Sequence, residues 1–292
     1  MHIPVLLQEV IKFLNPQSNE NFIDMTVGEG RYAMAILQYT APLGKILGID
    51  LDEESLKVAK ENLGAFENRA ILKQGNYKDI DKIVKEVDIL PVSGIVFDLG
   101  LGIFQIEDSS RGFSFLRDEP LKMTFDLGSE MSAEKVINES NLELLTKIFQ
   151  EYGEEKNAYK IAQAIVEERK NKKITRTSEL VEIIEKTVDG RRNRLHPATK
   201  IFQALRIYVN DELNNLKEGL EKSVKILDKD GRIAVVSYHS LEDRLVKKFY
   251  KEKEKEGVLK IITKKPITPT KVEILNNRRS RSAKLRVAQK IK

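Results

Sequence analysis

Cysteine is absent from the 292-residue chain, which removes disulfides, thiolate metal sites and cysteine nucleophiles at once. Nothing in the composition needs an oxidising compartment, so the cytoplasm is the expected location. Only three histidines occur, dispersed along the chain. With no thiol to join them they form no metal-ligand spacing, and no metal is expected. No stretch is apolar enough to cross a bilayer, and Lys12 interrupts the apolar run near the start, which no basic region precedes. Neither a membrane partner nor a secretory leader is expected. An excess of one charge is nearly lacking too, since 50 Lys and Arg against 45 Asp and Glu leave only +5.

That small excess is unevenly placed. Arg191, Arg192 and Arg194 form one cluster, while Arg278, Arg279, Arg281, Lys284, Arg286, Lys290 and Lys292 crowd the C-terminus. Such concentrations suit phosphates. A solvated tail explains them equally well on charge alone.

With 41% hydrophobic and 33% charged residues, the chain can bury a sizeable core, as one large domain or one domain carrying an insertion. Asn21 to Thr26 reads as an apolar strand, Arg31 to Tyr39 as a helix, Lys45 to Asp50 as a strand and Glu53 to Leu63 as a helix. Strands at Ala70 to Gln74 and Gly94 to Asp98 extend the series, so the first hundred residues predict half of a doubly wound, mostly parallel sheet. From Phe104 to His196 no buried strand is apparent, but helical patterns recur at Leu142 to Tyr152, Glu155 to Lys170 and Ser178 to Val188. This predicts a core in two parts, 1–103 and 197–292, with a helical domain at 104–196 inserted between them. One long helix from Pro197 to about Leu227 is expected to lead back to a central strand, Arg232 to Tyr238. A helix from Leu241 to Lys253 and β-like runs at Val258 to Thr263 and Lys284 to Gln289 complete the sheet.

Between the first strand and the first helix of this series stands Asp24-Met25-Thr26-Val27-Gly28-Glu29-Gly30. Its two glycines let the backbone approach a ligand closely. Asp50 ends the second strand about twenty residues later, where a carboxylate can accept both hydroxyls of a ribose. The spacing Gly28-x-Gly30-x-x-Ala33 also satisfies the loose fingerprint of NAD enzymes, so a nicotinamide-dependent oxidoreductase stays open. Asp24 favours another ligand, since a carboxylate before the turn repels a pyrophosphate but attracts an ammonium such as that of a methionine moiety. It also suits a plain turn or cap.

His2-Ile3-Pro4-Val5-Leu6-Leu7, Asp98-Leu99-Gly100, Arg111-Gly112-Phe113-Ser114-Phe115, Tyr152-Gly153-Glu154-Glu155, His196-Pro197-Ala198-Thr199, Phe202-Gln203-Ala204-Leu205-Arg206, Asn210-Asp211-Glu212-Leu213, Ser237-Tyr238-His239-Ser240-Leu241-Glu242-Asp243-Arg244, Lys264-Lys265-Pro266 and Arg281-Ser282-Ala283-Lys284-Leu285-Arg286 occur in this order. Together they resemble the blocks of the RsmH (MraW) family over nearly the whole chain. The resemblance implies a Rossmann-like S-adenosylmethionine-dependent methyltransferase fold with an inserted helical domain. It also implies methyl transfer to N4 of a cytidine in the 16S RNA of the small ribosomal subunit, near the decoding centre. The family's cofactor contacts fall on Gly30, Arg31, Tyr32, Asp50, Tyr77, Asp98 and Gln105, beside Asp24 and Gly28. Three runs depart from the family: Glu29-Gly30-Arg31-Tyr32-Ala33 stands for Gly-Gly-Gly-His-Ser, Leu101-Gly102-Ile103-Phe104-Gln105 for Val-Ser-Ser-Pro-Gln, and Lys122 and Thr124 for Asp and Arg.

A cytosine amino group is a poor nucleophile because its lone pair is delocalised, so the reaction needs a proton acceptor. Asp98, Asp126 and His239 are the candidates, although a histidine after a buried strand is more often structural. The reacting edge is hidden in a stacked base, so Phe113 and Phe115 are candidates to hold a flipped base, or else to pack the insertion. Arg111, His196, Arg191, Arg192, Arg194, Arg281, Lys284 and Arg286 are the remaining candidates for RNA contact. A cofactor-binding RNA or assembly protein that has lost catalysis is the other open reading.

Overall fold

The alternation of apolar runs and amphipathic segments becomes a seven-stranded sheet in the computed structural model, which describes residues 4–66, 68–102, 105, 110–188 and 196–292. An N-terminal helix, α1 (Leu7–Leu14), precedes β1 (Asn21–Asp24), α2 (Arg31–Tyr39), β2 (Ile46–Asp50), α3 (Glu53–Asn62), β3 (Ala70–Gln74), the single turn α4 (Ile80–Ile83) and β4 (Val92–Asp98). Five helices follow, α5 (Ala133–Glu139), α6 (Leu142–Glu151), α7 (Ala158–Glu168), α8 (Thr177–Thr187) and α9 (Ala198–Val209). Then come α10 (Glu212–Ile226), β5 (Leu227–Ser237), α11 (Ser240–Lys255), β6 (Leu259–Ile261), α12 (Lys271–Asn276) and β7 (Lys284–Lys290).

Strand order is β3-β2-β1-β4-β5-β7-β6, with β1 to β5 mutually parallel and β7 antiparallel to both neighbours. The central strands are apolar on both faces, as a covered parallel sheet requires. Ile23, Ile95, Phe97 and Val235 enter one core, whereas Phe22, Val96, Ala234 and Val236 enter the core on the other face. The side-chain period of two thus divides each strand between two apolar layers.

The chain folds into two compact units, one of 1–100 with 213–292 and one of Leu101–Glu212. The helical unit therefore runs past the expected 104–196, and the long helix expected from Pro197 to Leu227 is two helices. Ile201, Phe202, Ala204 and Leu205 of α9 share a core with Phe149, Ile161 and Leu180, which assigns α9 to the helical unit. The break falls at Asn210-Asp211, where Asp211 takes a left-handed φ of 49°. Asn210 donates to Met123 O (2.8 Å) and Arg206 O (2.8 Å) and accepts from Phe125 N (2.9 Å), so its side chain serves a loop far away in sequence. Arg206 clamps the turn through two bonds to Glu212, at 2.8 and 3.0 Å. Amphipathic periodicity runs through this break undisturbed, which is why pattern alone misses it.

β5 also starts earlier than its apolar run. Leu227 pairs with Val92, the register then slips, and pairing resumes with Arg232 opposite Gly94. Among the described residues no helix is long and apolar enough to cross a membrane.

Candidate functional site

In a doubly wound sheet, ligands bind beyond the carboxyl ends of the strands where the order reverses, here around β1. The ends of β1, β2 and β4 each carry an aspartate, namely Asp24, Asp50 and Asp98. Asp24 is fully buried. Its Oδ1 accepts from Thr26 N at 3.2 Å, and its Oδ2 finds no hydrogen-bond partner among the described residues. Burial, with the nearby charges of Asp98 and Asp50 adding to it, pushes this carboxyl up to about 8 against the single opposing bond from Thr26.

Asp50 and Asp98 are recessed but keep an accessible edge. Asp50 accepts from Gly28 N through Oδ2 and from Asp52 N through Oδ1, both at 2.9 Å. Burial still raises it to about 6 despite those bonds. Asp98 is raised to about 7, by burial and then by Glu242, with the Tyr238 hydroxyl opposing at 2.7 Å. Three carboxylates cannot all be ionised here near neutrality without a counter-charge. The arrangement fits a ligand that brings positive charge and hydrogen-bond donors, and an orphaned buried acceptor on Asp24 marks where one donor belongs.

The turn after β1 leaves room for that ligand. Gly28 and Gly30 adopt φ of 49° and 80°, values that side chains rarely take. A Cβ on Gly28 would meet only Thr26 O, at 3.9 Å, whereas one on Gly30 would press on Leu63 Cδ1 at 3.0 Å. Gly28 thus faces open space and Gly30 allows α2 to pack on α3. Asn62 holds the turn by donating to Glu29 O at 2.9 Å.

The departures at this turn have local partners. Arg31 pairs with Glu29 at 3.4 Å, so two residues that stand apart from the family's pattern answer each other. Tyr32, a cofactor contact by resemblance, has another use. Its ring is buried and its hydroxyl donates to Val5 O, which ties the N-terminal segment to α2. Tyr77 packs edge-on against Phe97, with centroids 5.6 Å apart, and joins the partly buried rim of the core. Gln105 is buried in the helical unit, where its Oε1 accepts from Gly102 N at 2.9 Å.

His239, a candidate base from the sequence, also caps a helix. Its Nδ1 accepts from Glu242 N at 3.3 Å, and Glu242 Oε2 accepts in return from His239 N at 3.2 Å and Tyr238 N at 2.8 Å. The His239 Nε2 lies 3.1 Å from Glu242 Oε1 but lacks the alignment of a hydrogen bond. This reciprocal capping box starts α11 and leaves the imidazole buried. Asp126 lies in the helical unit, where its Oδ1 accepts from Gly128 N at 2.8 Å.

The RNA candidates divide the same way. Arg111 and Phe113 are buried in the helical unit; Arg111 reaches Phe125 O at 3.4 Å and Phe113 stacks on the Phe125 ring at 5.2 Å. Lys284 and Arg286 both pair with Asp243, at 3.2 and 2.7 Å. Burial opposes them, yet the two cations hold the Asp243 carboxyl below its usual range. These two basic side chains fasten β7 to α11. Arg281 is exposed. Phe115 stacks on His196 at 4.8 Å, and His196 also lies 3.0 Å from Glu185. Arg191, Arg192 and Arg194 lie outside the described residues.

Sequence reasoning missed Tyr238 and Thr26. The Thr26 Oγ1 accepts from Asp98 N at 2.7 Å, crossing from the β1 turn to the end of β4. Both residues stand at strand ends, and only the position of Asp98 reveals their use.

The family model described as the MraW methylase family matches residues 1–291. Ribosomal RNA small subunit methyltransferase H of Persephonella marina is 48% identical over 292 residues, covering 99% of each chain. Its namesake from Thermotoga neapolitana is 45% identical over 293 residues, covering 99% of this chain and 95% of its own. Among solved structures, a candidate rRNA-methylase from Clostridium thermocellum has a TM-score of 0.50 at 12% identity, covering 100% of this chain and 99% of that one, a likeness of fold alone.

Proposed function

The chain belongs to the MraW methylase family, and from that premise we propose that it methylates N4 of a cytidine in 16S ribosomal RNA, near the decoding centre, acting in the cytoplasm on the small subunit or its RNA. Its fold is the Rossmann-like one of S-adenosylmethionine-dependent methyltransferases. S-adenosylmethionine, when bound, supplies an electrophilic methyl group on a cationic sulfur. The observation that carries the reading is the carboxylate trio of Asp24, Asp50 and Asp98 around an open glycine turn. Its need for positive charge and donors suits an ammonium, a sulfonium and ribose hydroxyls. A pyrophosphate would add negative charge and offer Asp24 no donor, which disfavours the dinucleotide reading.

In this reading Asp24 accepts from the ammonium and Asp50 from the ribose hydroxyls. Gly28 and Gly30 admit the ligand to the backbone. Asp98 accepts the proton that N4 must lose, and its accessible edge leaves it open to a base presented at the end of β4. The target must leave its stack to be reached, and the Phe115 and His196 pair is the stacking surface this reading assigns to RNA.

The test is to incubate the protein with labelled S-adenosylmethionine and small subunits lacking the modification, then map the labelled nucleotide. Label at N4 of a single cytidine is the expected result. Label elsewhere would refute the target, and binding of cofactor and RNA without transfer would favour an assembly protein. A micromolar NAD complex would restore the oxidoreductase reading.

Asp50→Ala is expected to weaken S-adenosylmethionine binding, each missing charge-assisted bond being worth roughly 1.5 to 3 kcal/mol. Calorimetry on the folded variant checks this, and unchanged affinity would remove Asp50 from the site. Replacing Arg191, Arg192 and Arg194 together with alanine should weaken RNA binding while sparing cofactor affinity. The slope of log affinity against log salt should flatten by roughly 0.7 for each single-strand phosphate that an arginine no longer neutralises. A wild-type slope would make the cluster a solvated surface.

A further inference from the structure

Asp98 is held from two directions. Its backbone N–H donates to Thr26 Oγ1, and its Oδ1 accepts from the Tyr238 hydroxyl at 2.7 Å. Tyr238 follows the last residue of β5, at the same sheet edge. Its own backbone N–H is fixed by Glu242 Oε2 at the start of α11. The ring in turn supports the chain that leaves β4. Gly100 turns there with φ 106°, and a Cβ on it would lie 3.1 Å from the Tyr238 ring. Among the described residues no other side-chain donor reaches the Asp98 carboxylate, so its second oxygen stays available.

From this geometry we infer that Tyr238 is a positioning residue that keeps the Asp98 carboxylate aimed as a proton acceptor. The inference rests on the reading of Asp98 given above and goes beyond it by naming the group that sets its orientation and proton affinity. Among the described residues, the charged and titratable groups that face Asp98 besides Tyr238 are Asp24 from β1, Tyr32 from α2 and Glu242 from α11, all of them acids. The Tyr238 O–H is therefore what opposes burial and Glu242 in keeping Asp98 ionisable near neutrality. Burial, then the charge of Asp98, pushes the Tyr238 phenol well above its ordinary value, so it remains a donor throughout.

A donor to the ionised carboxylate lowers its pKa, so removing the donor moves the titration upward. In the ligand-free full chain, the Asp98 carboxyl is followed by carbon NMR, its signal assigned by its disappearance in Asp98→Asn. Tyr238→Phe should raise the midpoint by about one pH unit. In methyl transfer to small subunits, kcat at pH 7 should fall about fivefold and recover as pH rises, while KM for RNA changes less than about twofold. Tyr238→3-fluorotyrosine keeps the ring packing but carries a more acidic hydroxyl, and should move both midpoint and rate profile downward. A Tyr238→Phe protein with the wild-type midpoint overturns the inference, as does a fluorotyrosine protein that shifts in neither readout. Wild-type protein that transfers no methyl group would overturn the proposed function instead, and the NMR titration still decides this inference.

Discussion

Asp24→Asn is expected to stabilise the cofactor-free protein and abolish tight cofactor binding in the same step. The carboxyl titrates at about 8 when folded, against an ordinary value of 3.8. Folded protein therefore holds this proton across that window while unfolded chain has released it, so stability falls as pH rises from about 4 to about 8. An amide at this position carries no such dependence. The gap between variant and wild type should widen through that window, to several kcal/mol by about pH 8, or a rise in melting temperature on the order of 5 to 10 °C. Cofactor affinity should move the other way, weakening about 100-fold, because the ammonium loses a charge-assisted acceptor and meets an N–H instead. Wild-type binding should also strengthen with pH up to about 8, with protons released on binding, since the cation demands the ionised form. Thermal scans at several pH values and calorimetry in buffers of different ionisation heat read both halves. Equal melting temperatures throughout, together with equal affinity, would show that Asp24 is a ligand-independent turn residue.

Asp98→Asn should lower the rate of the methyl-transfer step by about 100- to 10,000-fold, the usual worth of a placed general base. On the proposed reading Asp98 accepts only when ionised, and it titrates at about 7, so the wild-type rate should climb with pH through that value and level off above it. The variant should lose this limb, while RNA affinity measured by filter binding stays within about twofold. Single-turnover kinetics from about pH 5.5 to about 9 makes the comparison. A variant within about threefold of wild type, still climbing with pH, would move the proton to another acceptor, with Asp126 next in order.

The two aspartates differ in how legible they are. Asp24 stands out in sequence because a carboxylate just ahead of a Gly-x-Gly turn conflicts with a pyrophosphate and suits a cation, although a turn or cap residue fits the same pattern. Asp98 ends an apolar run, which places it at the sheet's carboxyl edge, but nothing local shows that Thr26 and Tyr238 hold it from either side. Lys284 and Arg286 show the same limit. In sequence they belong to a basic run, whereas β7 points them at Asp243, 41 and 43 residues earlier in the chain. His239 stands beside its true partner, since Glu242 three residues later is the spacing of a capping box.

What the chain's own sequence determined is whatever depends on neighbours within a turn or two: the βα alternation, the apolar two-faced strands, the glycine turn and the carboxylates ending the second and fourth strands. These follow from periodicity and from backbone freedom, which are local properties. Only the tertiary structure decided that one predicted helix divides at Asn210, because that side chain answers the 123–125 loop far away in sequence. It alone decided which charges are free and which are paired, and how far burial lifts each aspartate. Those quantities depend on distance and dielectric in three dimensions, and residues that meet there carry no mark of one another along the chain.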